Sequence, residues 1–368
     1  MADKFLKSLQ LGSDGNVYYP LPLLETKAGV GWNFTLHDTY YATLFCEDDI
    51  WVAGSSYGKI VYTEDNGKNW MRSFNTSSGR VYDIYHAAGL WVASTQNEGM
   101  YYSSDAKTWT HSNITDIECW GAKYGGGIWV SYTASGLYYS IDGITWTISN
   151  ITATCNQPYY LNGMWFAGND SDSGVIYYST DGKVWNASDE IGGSFGPFAY
   201  SNGIDVAGEY SYHGGFYSST DSINWTKSNI AKESANDFSY IDDIWYACGG
   251  FGLYSSTDGK NWTMIWNSRD VGISMLSTII KVNGLYVVGC TWDNGSKVGG
   301  IWYSTDCMSW QQSNITTGYF PLFRYSNNTL LTLDWYGTGI YFSKDKTGDE
   351  GKILMVSNGE WQATFLTL

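Results

Sequence analysis

Short runs of aromatic and aliphatic residues recur along the chain, and nearly every run ends in a polar turn. The clearest copy covers residues 176–185 and reads Ile-Tyr-Tyr-Ser-Thr-Asp-Gly-Lys-Val-Trp. Tyr, Ile and Val favour strands, whereas Asp-Gly favours a tight turn, because Gly tolerates positive φ and Asp accepts hydrogen bonds from nearby backbone N–H groups. Each copy therefore predicts two β-strands joined by a turn, with the Trp at the start of the second strand.

This unit returns at a regular spacing. Its complete copies end in Asp and Trp at Asp65 and Trp70, Asp105 and Trp109, Asp142 and Trp146, Asp181 and Trp185, Asp221 and Trp225, Asp258 and Trp262, and Asp306 and Trp310. A last copy at Ser343 and Asp345 lacks the Trp, and successive Asp residues lie 37 to 48 residues apart. That period is typical of one four-stranded blade of a β-propeller. We interpret these residues as structural, with the Asp building the turn and the Trp packing between sheets.

A second pattern gives an independent count of the blades. Runs related to Gly-x-Trp-Val-Ala-Gly mark the second strand of a blade at Trp51, Trp91, Trp129, Trp165 and Trp245, with Asp205, Tyr286 and Leu331 in weaker copies. The first strands are predicted near residues 40–46, 81–87, 117–124, 154–161, 195–201, 236–241, 275–282 and 319–326. The sequence thus predicts an all-β fold with a single propeller of eight four-stranded blades, and seven blades are the alternative if the weak eighth copy is an appendage.

The last repeat has no outer strand of its own, whereas an outer-strand sequence stands alone near the N-terminus. Residues 32–36, from Trp32 to Leu36, are similar to the strand that follows an Asp turn. An open ring would expose two sheet edges. We therefore predict that this segment closes the ring by pairing with residues 338–343 in the eighth blade.

The chain is divided by these patterns into three parts. We predict an N-terminal extension at residues 1–29, the propeller at residues 30–346 and a C-terminal β-hairpin tail at residues 347–368. The hairpin is expected to turn at Asn358-Gly359, a pair that favours two-residue hairpin turns. Residues 15–22 contain two prolines and are expected to form a turn and an edge strand.

The repeated unit resembles the Asp-box, or BNR, repeat Ser/Thr-x-Asp-x-Gly-x-x-Trp of sialidases and many other β-propellers. Residues 63–70 match the longer form of the repeat, and the other complete copies are one residue shorter. The resemblance implies that the Asp turns lie at the blade edges, away from the ligand face, in enzymes and non-enzymes alike. The terminal segments also look like short terminal segments of bacteriophage or prophage tail and baseplate proteins.

Composition narrows the classes of partner. The net charge of −16, from 36 acidic and 20 basic residues, repels nucleic acid and anionic membranes, and we expect neither nucleic-acid binding nor membrane insertion. The N-terminus has no long apolar segment, so we expect synthesis in the cytoplasm without a signal peptide. If the protein belongs to a phage tail, we expect it to be associated with the virion. The six Cys residues show no metal-like spacing and are expected to be core residues. No metal or other cofactor is indicated.

The expected ligand face carries the b–c loops and the d–a connections, where a to d are the four strands of a blade in chain order. Aromatic rings beside carboxylates suit a neutral sugar, whose C–H face stacks on a ring while its hydroxyls bond to polar groups. The candidate ligand-binding residues are Tyr57, Tyr210, Tyr212, His213, Trp292, Asp293, Trp335 and Tyr336. The favoured function is a glycan-binding or receptor-binding adhesin of a phage or prophage tail.

Such an adhesin would bind a cell-surface carbohydrate or protein receptor and other tail or baseplate proteins, and oligomers would raise its avidity. Two other classes of function stay open, a glycoside hydrolase, either sialidase-like or of another kind, and a protein-interaction scaffold. A sialidase-like hydrolase would need three arginines, and Arg80, Arg269 and Arg324 are the only possible set because Arg72 falls in an outer strand. Their blade positions do not follow those of the sialidase family, and the family's Arg-Ile-Pro segment is absent.

Another glycosidase would need two carboxylates, and its candidates are Asp170, Asp172, Glu209, Asp293 and Asp334. The remaining function is a protein-interaction scaffold, since a wide rigid loop face suits protein partners equally well. The sequence assigns no catalytic residue and favours a binding protein over an enzyme.

Overall fold

The computed structural model describes residues 10–11, 17–20, 33–37, 41–47, 50–65, 69–77, 79–171, 174–210, 214–230, 232–291, 299–326, 329–334, 339–344, 352–357 and 360–365. Within these ranges the chain forms nine four-stranded antiparallel sheets. The only helix among them is one 3₁₀ turn, Ser268–Val271. The all-β prediction is therefore confirmed.

Eight of the sheets are propeller blades, each with strand a next to the ring axis and strand d at the rim. In the order a to d, the strands of blade 1 are Tyr41–Glu47, Ile50–Ser55, Lys59–Thr63 and Met71–Asn75, and those of blade 2 are Val81–Ala87, Leu90–Thr95, Met100–Ser103 and Thr110–His111. The strands of blade 3 are Cys119–Gly125, Ile128–Thr133, Gly136–Ser140 and Thr147–Ile148, and those of blade 4 are Tyr159–Leu161, Met164–Gly168, Ile176–Ser179 and Asn186–Ala187. The strands of blade 5 are Phe195–Ser201, Ile204–Glu209, Phe216–Ser219 and Thr226–Lys227, and those of blade 6 are Ala235–Ile241, Ile244–Gly249, Gly252–Ser256 and Thr263–Asn267. The strands of blade 7 are Met275–Val282, Leu285–Thr291, Ile301–Ser304 and Gln311–Gln312, and those of blade 8 are Phe323–Ser326, Thr329–Leu333, Gly339–Lys344 and Asn33–His37.

The N-terminal strand closes the ring. Asn33–His37 is strand d of blade 8 and pairs antiparallel with Gly339–Lys344, so that Asn33 faces Phe342 and His37 faces Gly339. The strands next to the axis also contact one another from blade 1 to blade 8 and back to blade 1. The prediction of eight blades closed by an N-terminal strand is confirmed, and the seven-blade alternative is wrong. Trp32 itself lies outside the described residues.

Strand a of blade 4 is shorter than the sequence indicates. It covers Tyr159–Leu161, although a strand was expected from residue 154. The earlier part of the segment keeps one isolated bridge, between Cys155 and Asn169. Pro158 lies directly before the strand and has no N–H to donate to the ladder. The proline therefore accounts for the late start.

A ninth sheet combines described segments from the N-terminal and C-terminal parts of the chain. Its strands, in spatial order, are Gln10–Leu11, Val17–Pro20, Lys352–Ser357 and Glu360–Phe365. The last two form the expected hairpin, with Ser357 opposite Glu360. The prediction that this N-terminal segment forms an edge strand is wrong, because Val17–Pro20 pairs with a strand on each side. Pro20 is its last residue, where a missing N–H costs least. The boundaries of the three parts of the chain stay predictions.

The hydrophobic core lies between neighbouring blades. In blade 4, Trp165 of strand b and Trp185 of the Asp turn belong to one buried cluster with Ile128 and Val130 of blade 3. In a repeat that has both tryptophans, such as blade 4, the two rings therefore fill the space between adjacent sheets. An aromatic side chain buries roughly 150–250 Å². At ~25 cal/mol per Å² this is a gross stabilisation of about 4–6 kcal/mol per ring before the entropy of ordering is subtracted.

Candidate functional site

In each described Asp turn of the shorter form, the Asp carboxylate accepts hydrogen bonds from groups of the same turn. In the copy at Asp181, Ser179 Oγ donates to Asp181 Oδ1 at 3.1 Å, and the N–H groups of Lys183 and Val184 donate to the same oxygen at 2.9 Å. The Trp185 indole N–H donates to the Gly182 carbonyl at 3.1 Å. The backbone donors, Val184 first, hold the pKa of Asp181 below its ordinary value. The same carboxylate pattern is present at Asp105, Asp142, Asp221, Asp258 and Asp306.

The Asp turns and the a–b turns lie on one face of the ring, and the b–c loops and d–a connections lie on the other, because successive strands of a blade are antiparallel. Tyr57 lies in the b–c loop of blade 1 and is 66% exposed, and Tyr210 follows strand b of blade 5 and is 44% exposed. Both predicted ligand residues are thus accessible on the expected face. The other six candidates, Tyr212, His213, Trp292, Asp293, Trp335 and Tyr336, lie outside the described residues, and their role stays a prediction.

Tyr210 extends from blade 5 towards the ring axis, because a Cβ at Gly196 of strand a would lie 3.3 Å from the Tyr210 hydroxyl oxygen. Burial raises the pKa of Tyr210 to about 12, with further contributions from Tyr319, Asp170 and Asp237. These three residues belong to the blade 7–8 connection, blade 4 and blade 6, so groups from widely separated parts of the ring act electrostatically on one phenol. Nevertheless, 44% of the Tyr210 residue is exposed. A side chain that is near groups of several blades and also open to solvent lies towards the centre of this face, and we call this region around Tyr210 the channel mouth.

Two further tyrosines lie near Tyr210. Burial raises the pKa of both Tyr132 in blade 3 and Tyr159 in blade 4 well above the ordinary value, and Tyr210 is close enough to raise each further. Tyr132 can cross strand a of its own blade because Gly121 has no side chain there. A Cβ at Gly121 would lie 2.6 Å from Tyr132 Cε1 and 2.8 Å from Asp83 Oδ2.

The sequence reasoning missed these two tyrosines because it searched only the loops. A glycine inside a strand often marks a close approach by another group, so Gly121 was the available signal for Tyr132. Tyr159 carries no comparable signal, since a tyrosine at the start of a strand usually belongs to the core. The channel mouth is thus built partly from strand residues.

Carboxylates of the inner strands also face this region. Asp83 in blade 2 and Asp237 in blade 6 follow β-bulges at the same place in strand a. Lys123 Nζ donates to Asp83 Oδ2 at 2.7 Å, and Thr278 Oγ1 donates to Asp237 Oδ2 at 2.9 Å. Burial raises the pKa of Asp237, and the hydrogen bonds from Thr278 and from the Ile279 N–H oppose that rise. The channel mouth therefore offers two kinds of hydrogen-bonding group to a polar ligand. Phenol hydroxyls can donate or accept hydrogen bonds, and carboxylate oxygens can accept them.

The carboxylates considered for a glycosidase have separate surroundings. Asp170 is exposed after strand b of blade 4, whereas Glu209 is buried in blade 5 and Asp334 is buried in blade 8. Glu209 lies 3.9 Å from Lys227 Nζ, and Asp334 accepts from the Tyr319 N–H at 3.0 Å. The other two candidates, Asp172 and Asp293, lie outside the described residues. The described carboxylates come from three different blades.

The three arginines considered for a sialidase-like site each lie against a different aromatic ring. The distances from Cζ to the ring centroid are 5.5 Å for Arg80 and Tyr82, 3.9 Å for Arg269 and Phe251, and 5.7 Å for Arg324 and Phe45. In the described part of the chain, no three His, Cys, Asp or Glu side chains are grouped so that they could ligate a metal ion. The same part has no helix with the length and apolar character needed to cross a membrane.

The fold and the channel mouth define an eight-bladed β-propeller with a recessed aromatic and acidic centre. No model of a known protein family matches the chain, and neither does any curated protein sequence. Among solved structures, the chain is similar to the computationally designed Ika8 protein, with a TM-score of 0.65 and 10% identity over 86% of this chain and 99% of Ika8. It is also similar to BamB from Moraxella catarrhalis, with a TM-score of 0.59 and 14% identity over 87% of this chain and 98% of BamB.

A third similar structure is YCF48 bound to D1 peptide, with a TM-score of 0.57 and 11% identity over 86% of this chain and 96% of YCF48. At these identities the similarity shows the propeller fold alone.

Proposed function

We propose that this propeller is a binding protein that holds its ligand at the channel mouth, and that the favoured ligand is a glycan on a cell surface. The observation that supports this proposal most directly is the position of Tyr210, which is 44% exposed and has Tyr159, Tyr132 and Asp237 around it. An exposed phenol ring offers a flat apolar face to the C–H side of a sugar. The neighbouring carboxylates and hydroxyls can bond to sugar hydroxyls.

The finer form of the proposal is a receptor-binding adhesin of a bacteriophage or prophage tail. Support comes from the resemblance of the repeated turn to the Asp box and from the likeness of the terminal segments to tail proteins. Segments from the N-terminal and C-terminal parts of the chain form one sheet, which could attach to other tail or baseplate proteins without using the propeller loops. Several copies on one virion would bind a surface with higher avidity than a single copy.

A glycan array with wild-type protein, Tyr210→Ala and Tyr210→Phe tests the site. We expect the wild type to bind a defined class of glycans, Tyr210→Ala to weaken binding at least about tenfold, which corresponds to ~1.4 kcal/mol, and Tyr210→Phe to keep most of it because the ring remains. Tyr325→Ala is the matched control, since Tyr325 is 37% exposed but lies beside the a–b turn of blade 8. Trp292→Ala extends the test to the b–c loop of blade 7.

Equal binding by the wild type and Tyr210→Ala would show that the channel mouth is not the site. A wild type that binds no glycan would contradict the glycan class. Turnover of aryl glycosides by the wild type would replace the binding proposal with a hydrolase.

The second candidate ligand is a protein segment. YCF48, to which the fold is similar, is bound to a peptide, and the channel mouth of the present protein is acidic at Asp170 and Asp237. A basic peptide would be attracted by this charge, and its affinity would fall as salt screens it. Binding of basic peptides that weakens at least about tenfold between ~50 and ~500 mM salt, and that Asp237→Asn reduces, would favour this candidate. Glycan binding should change little over the same range.

A further inference from the structure

A tyrosine and a lysine meet across two junctions between blades. The residue before the Ser or Thr of the Asp turn is Tyr62 in blade 1 and Tyr139 in blade 3. Lys107 of blade 2 lies over the Tyr62 ring, with Nζ 5.5 Å from its centroid, and Lys183 of blade 4 lies 5.9 Å from the Tyr139 centroid. Both lysines are the second residue after the Asp of their turn. A cation over a phenol ring is therefore a recurring contact of this ring.

Blade 5 lacks the tyrosine, although blade 6 keeps the lysine. Ser218 stands in the place of the tyrosine, because it pairs with Thr226 as Tyr139 pairs with Thr147. Lys260 follows Asp258 by two residues, as Lys183 follows Asp181. The junction between blades 5 and 6 thus has the cation without the ring that lies beneath it elsewhere.

A cavity of about 390 Å³ occupies this junction, at the outer rim on the side of the Asp turns. Ser218 and Lys260 both line it, together with Thr226, Asn229 and Asn261. Asn229 is fixed by bonds to the backbone of Trp262 at 2.9 and 2.8 Å, so this wall of the cavity is rigid. We call this cavity the blade 5–6 pocket.

We propose that the blade 5–6 pocket binds a tyrosine side chain of another protein, with the phenol ring under Lys260 where Tyr62 and Tyr139 lie at the other junctions. Tyrosine fits better than phenylalanine because of the strand beside it. In blade 7, Tyr303 Oη donates to Gln311 Oε1 of the facing strand at 3.0 Å. The residue at that place in blade 5 is Thr226, whose hydroxyl can accept the proton of a bound phenol.

This site is separate from the channel mouth and does not depend on the proposed glycan ligand. The pocket is on the side of the Asp turns, whereas Tyr210 follows strand b on the opposite face. A partner could therefore dock at the rim while a ligand occupies the channel mouth.

The test uses 4-fluorophenol as a probe of the tyrosine side chain, followed by ¹⁹F NMR titration of the whole protein. We expect saturable binding with a Kd of roughly 1–10 mM, a range typical of a fragment of this size. Ser218→Tyr should abolish this binding, because its own ring fills the pocket. Lys260→Met should weaken it by about two- to fivefold through loss of the cation.

Two controls keep the result specific. Ser255→Tyr makes the same change at the blade 6–7 junction, where Met308 stands in place of the lysine, and should leave probe binding unchanged. Tyr210→Ala should also leave it unchanged, which separates this pocket from the channel mouth.

Ser218→Tyr should unfold at the same temperature as the wild type or higher, since the new ring would pack as Tyr139 does.

Probe binding that Ser218→Tyr does not reduce would overturn the proposal, and so would the absence of saturable binding up to ~50 mM probe. N-acetyl-tyrosinamide should also bind more tightly than N-acetyl-phenylalaninamide. The reverse order would contradict the preference for a phenol.

Discussion

The side-chain amide of Asn150 in blade 3 bonds to both backbone polar groups of Trp185 in blade 4. Asn150 Nδ2 donates to the Trp185 carbonyl at 2.9 Å, and Asn150 Oδ1 accepts from the Trp185 N–H at 2.8 Å. The same two bonds join Asn113 to Trp146 and Asn229 to Trp262. The segment after an outer strand therefore fixes the Asp turn of the next blade. Neighbouring blades are held together by directed hydrogen bonds as well as by buried tryptophans.

Replacing Asn150 by Asp should lower the free energy of unfolding by about 0.5–1.5 kcal/mol at neutral pH. The variant keeps an acceptor for the Trp185 N–H, but it loses the donor and sets a carboxylate beside the Trp185 carbonyl. This repulsion raises the pKa of the new carboxyl in the folded state, so the variant recovers stability as the pH falls and loses it as the pH rises through that pKa.

Urea unfolding of Asn150→Asp and wild type at about pH 7 and about pH 4 measures this difference. Asn186→Asp is the control, because Asn186 is exposed and lies one residue after Trp185. A loss of stability that is equal in both variants, or that grows at the lower pH, would contradict the bonding of Asn150.

The a–b turn of blade 6 has an unfavourable residue. Asp242 and Asp243 have φ values of 50° and 62°, whereas the equivalent turn of blade 5 has Gly203 at the second position with φ 75°. A non-glycine residue in this region costs free energy. Asp243→Gly should therefore raise the free energy of unfolding by about 0.5–1 kcal/mol, less the contribution of the hydrogen bond between Asp243 and Tyr240.

Urea unfolding measures this change, and Gly203→Asp is the reverse control, which should be destabilised by about 1 kcal/mol. A lower stability of Asp243→Gly would show that the bond to Tyr240 outweighs the backbone strain.

The Asp turns should make stability depend on acidic pH. The N–H groups of Ser309 and Met308, followed by the Ser304 hydroxyl, lower the pKa of Asp306 to about 2. An unfolded Asp ionises near ~3.9. The folded form thus binds fewer protons in this range, and the contribution of Asp306 is present above about pH 4 and is lost as the pH falls towards 2.

Asp306→Asn keeps an oxygen that can accept the same hydrogen bonds, and it should flatten the dependence of unfolding free energy on pH between about 4 and 2. Carboxyl ¹³C NMR gives the pKa of Asp306 directly. An ordinary aspartate value there would contradict the turn geometry.

The buried cysteines should be unreactive in the native protein. Burial raises the pKa of Cys119 and of Cys155 to about 12, and it also raises the pKa of Cys290. The thiolate is the reactive form, so a thiol reagent should modify these residues slowly until the protein unfolds. Cys46 is partly exposed and should react first. Spectroscopic counting of thiols with and without guanidinium checks this order, and fast native reaction of all six residues would contradict the burial.

Local hydrogen bonds and strand patterns explain why the architecture could be predicted. The bonds of Asp181 stay within a few residues, so Ser, Asp and Trp at a fixed spacing predict the turn without knowledge of the rest of the fold. Repetition then gives the blade count, and the lone strand after Trp32 predicts the closure. Strand a of blade 4 is shorter than the repeat spacing predicts, because the spacing places its start before Pro158 while the backbone ladder begins only at Tyr159.

The sequence by itself thus determined the eight blades, their turns and the closing strand, because these depend on short-range propensity and on period. Only the tertiary structure decided which side chains meet. Tyr210 and Tyr319 lie far apart in the chain and come together because a closed ring brings several blades to one axis. In the sequence, Ser218 is an ordinary strand residue. Only the structure shows that Lys260 of the next blade lines the same pocket, with no aromatic ring beneath its cation. Contacts between blades depend on the geometry of closure, which no single repeat contains.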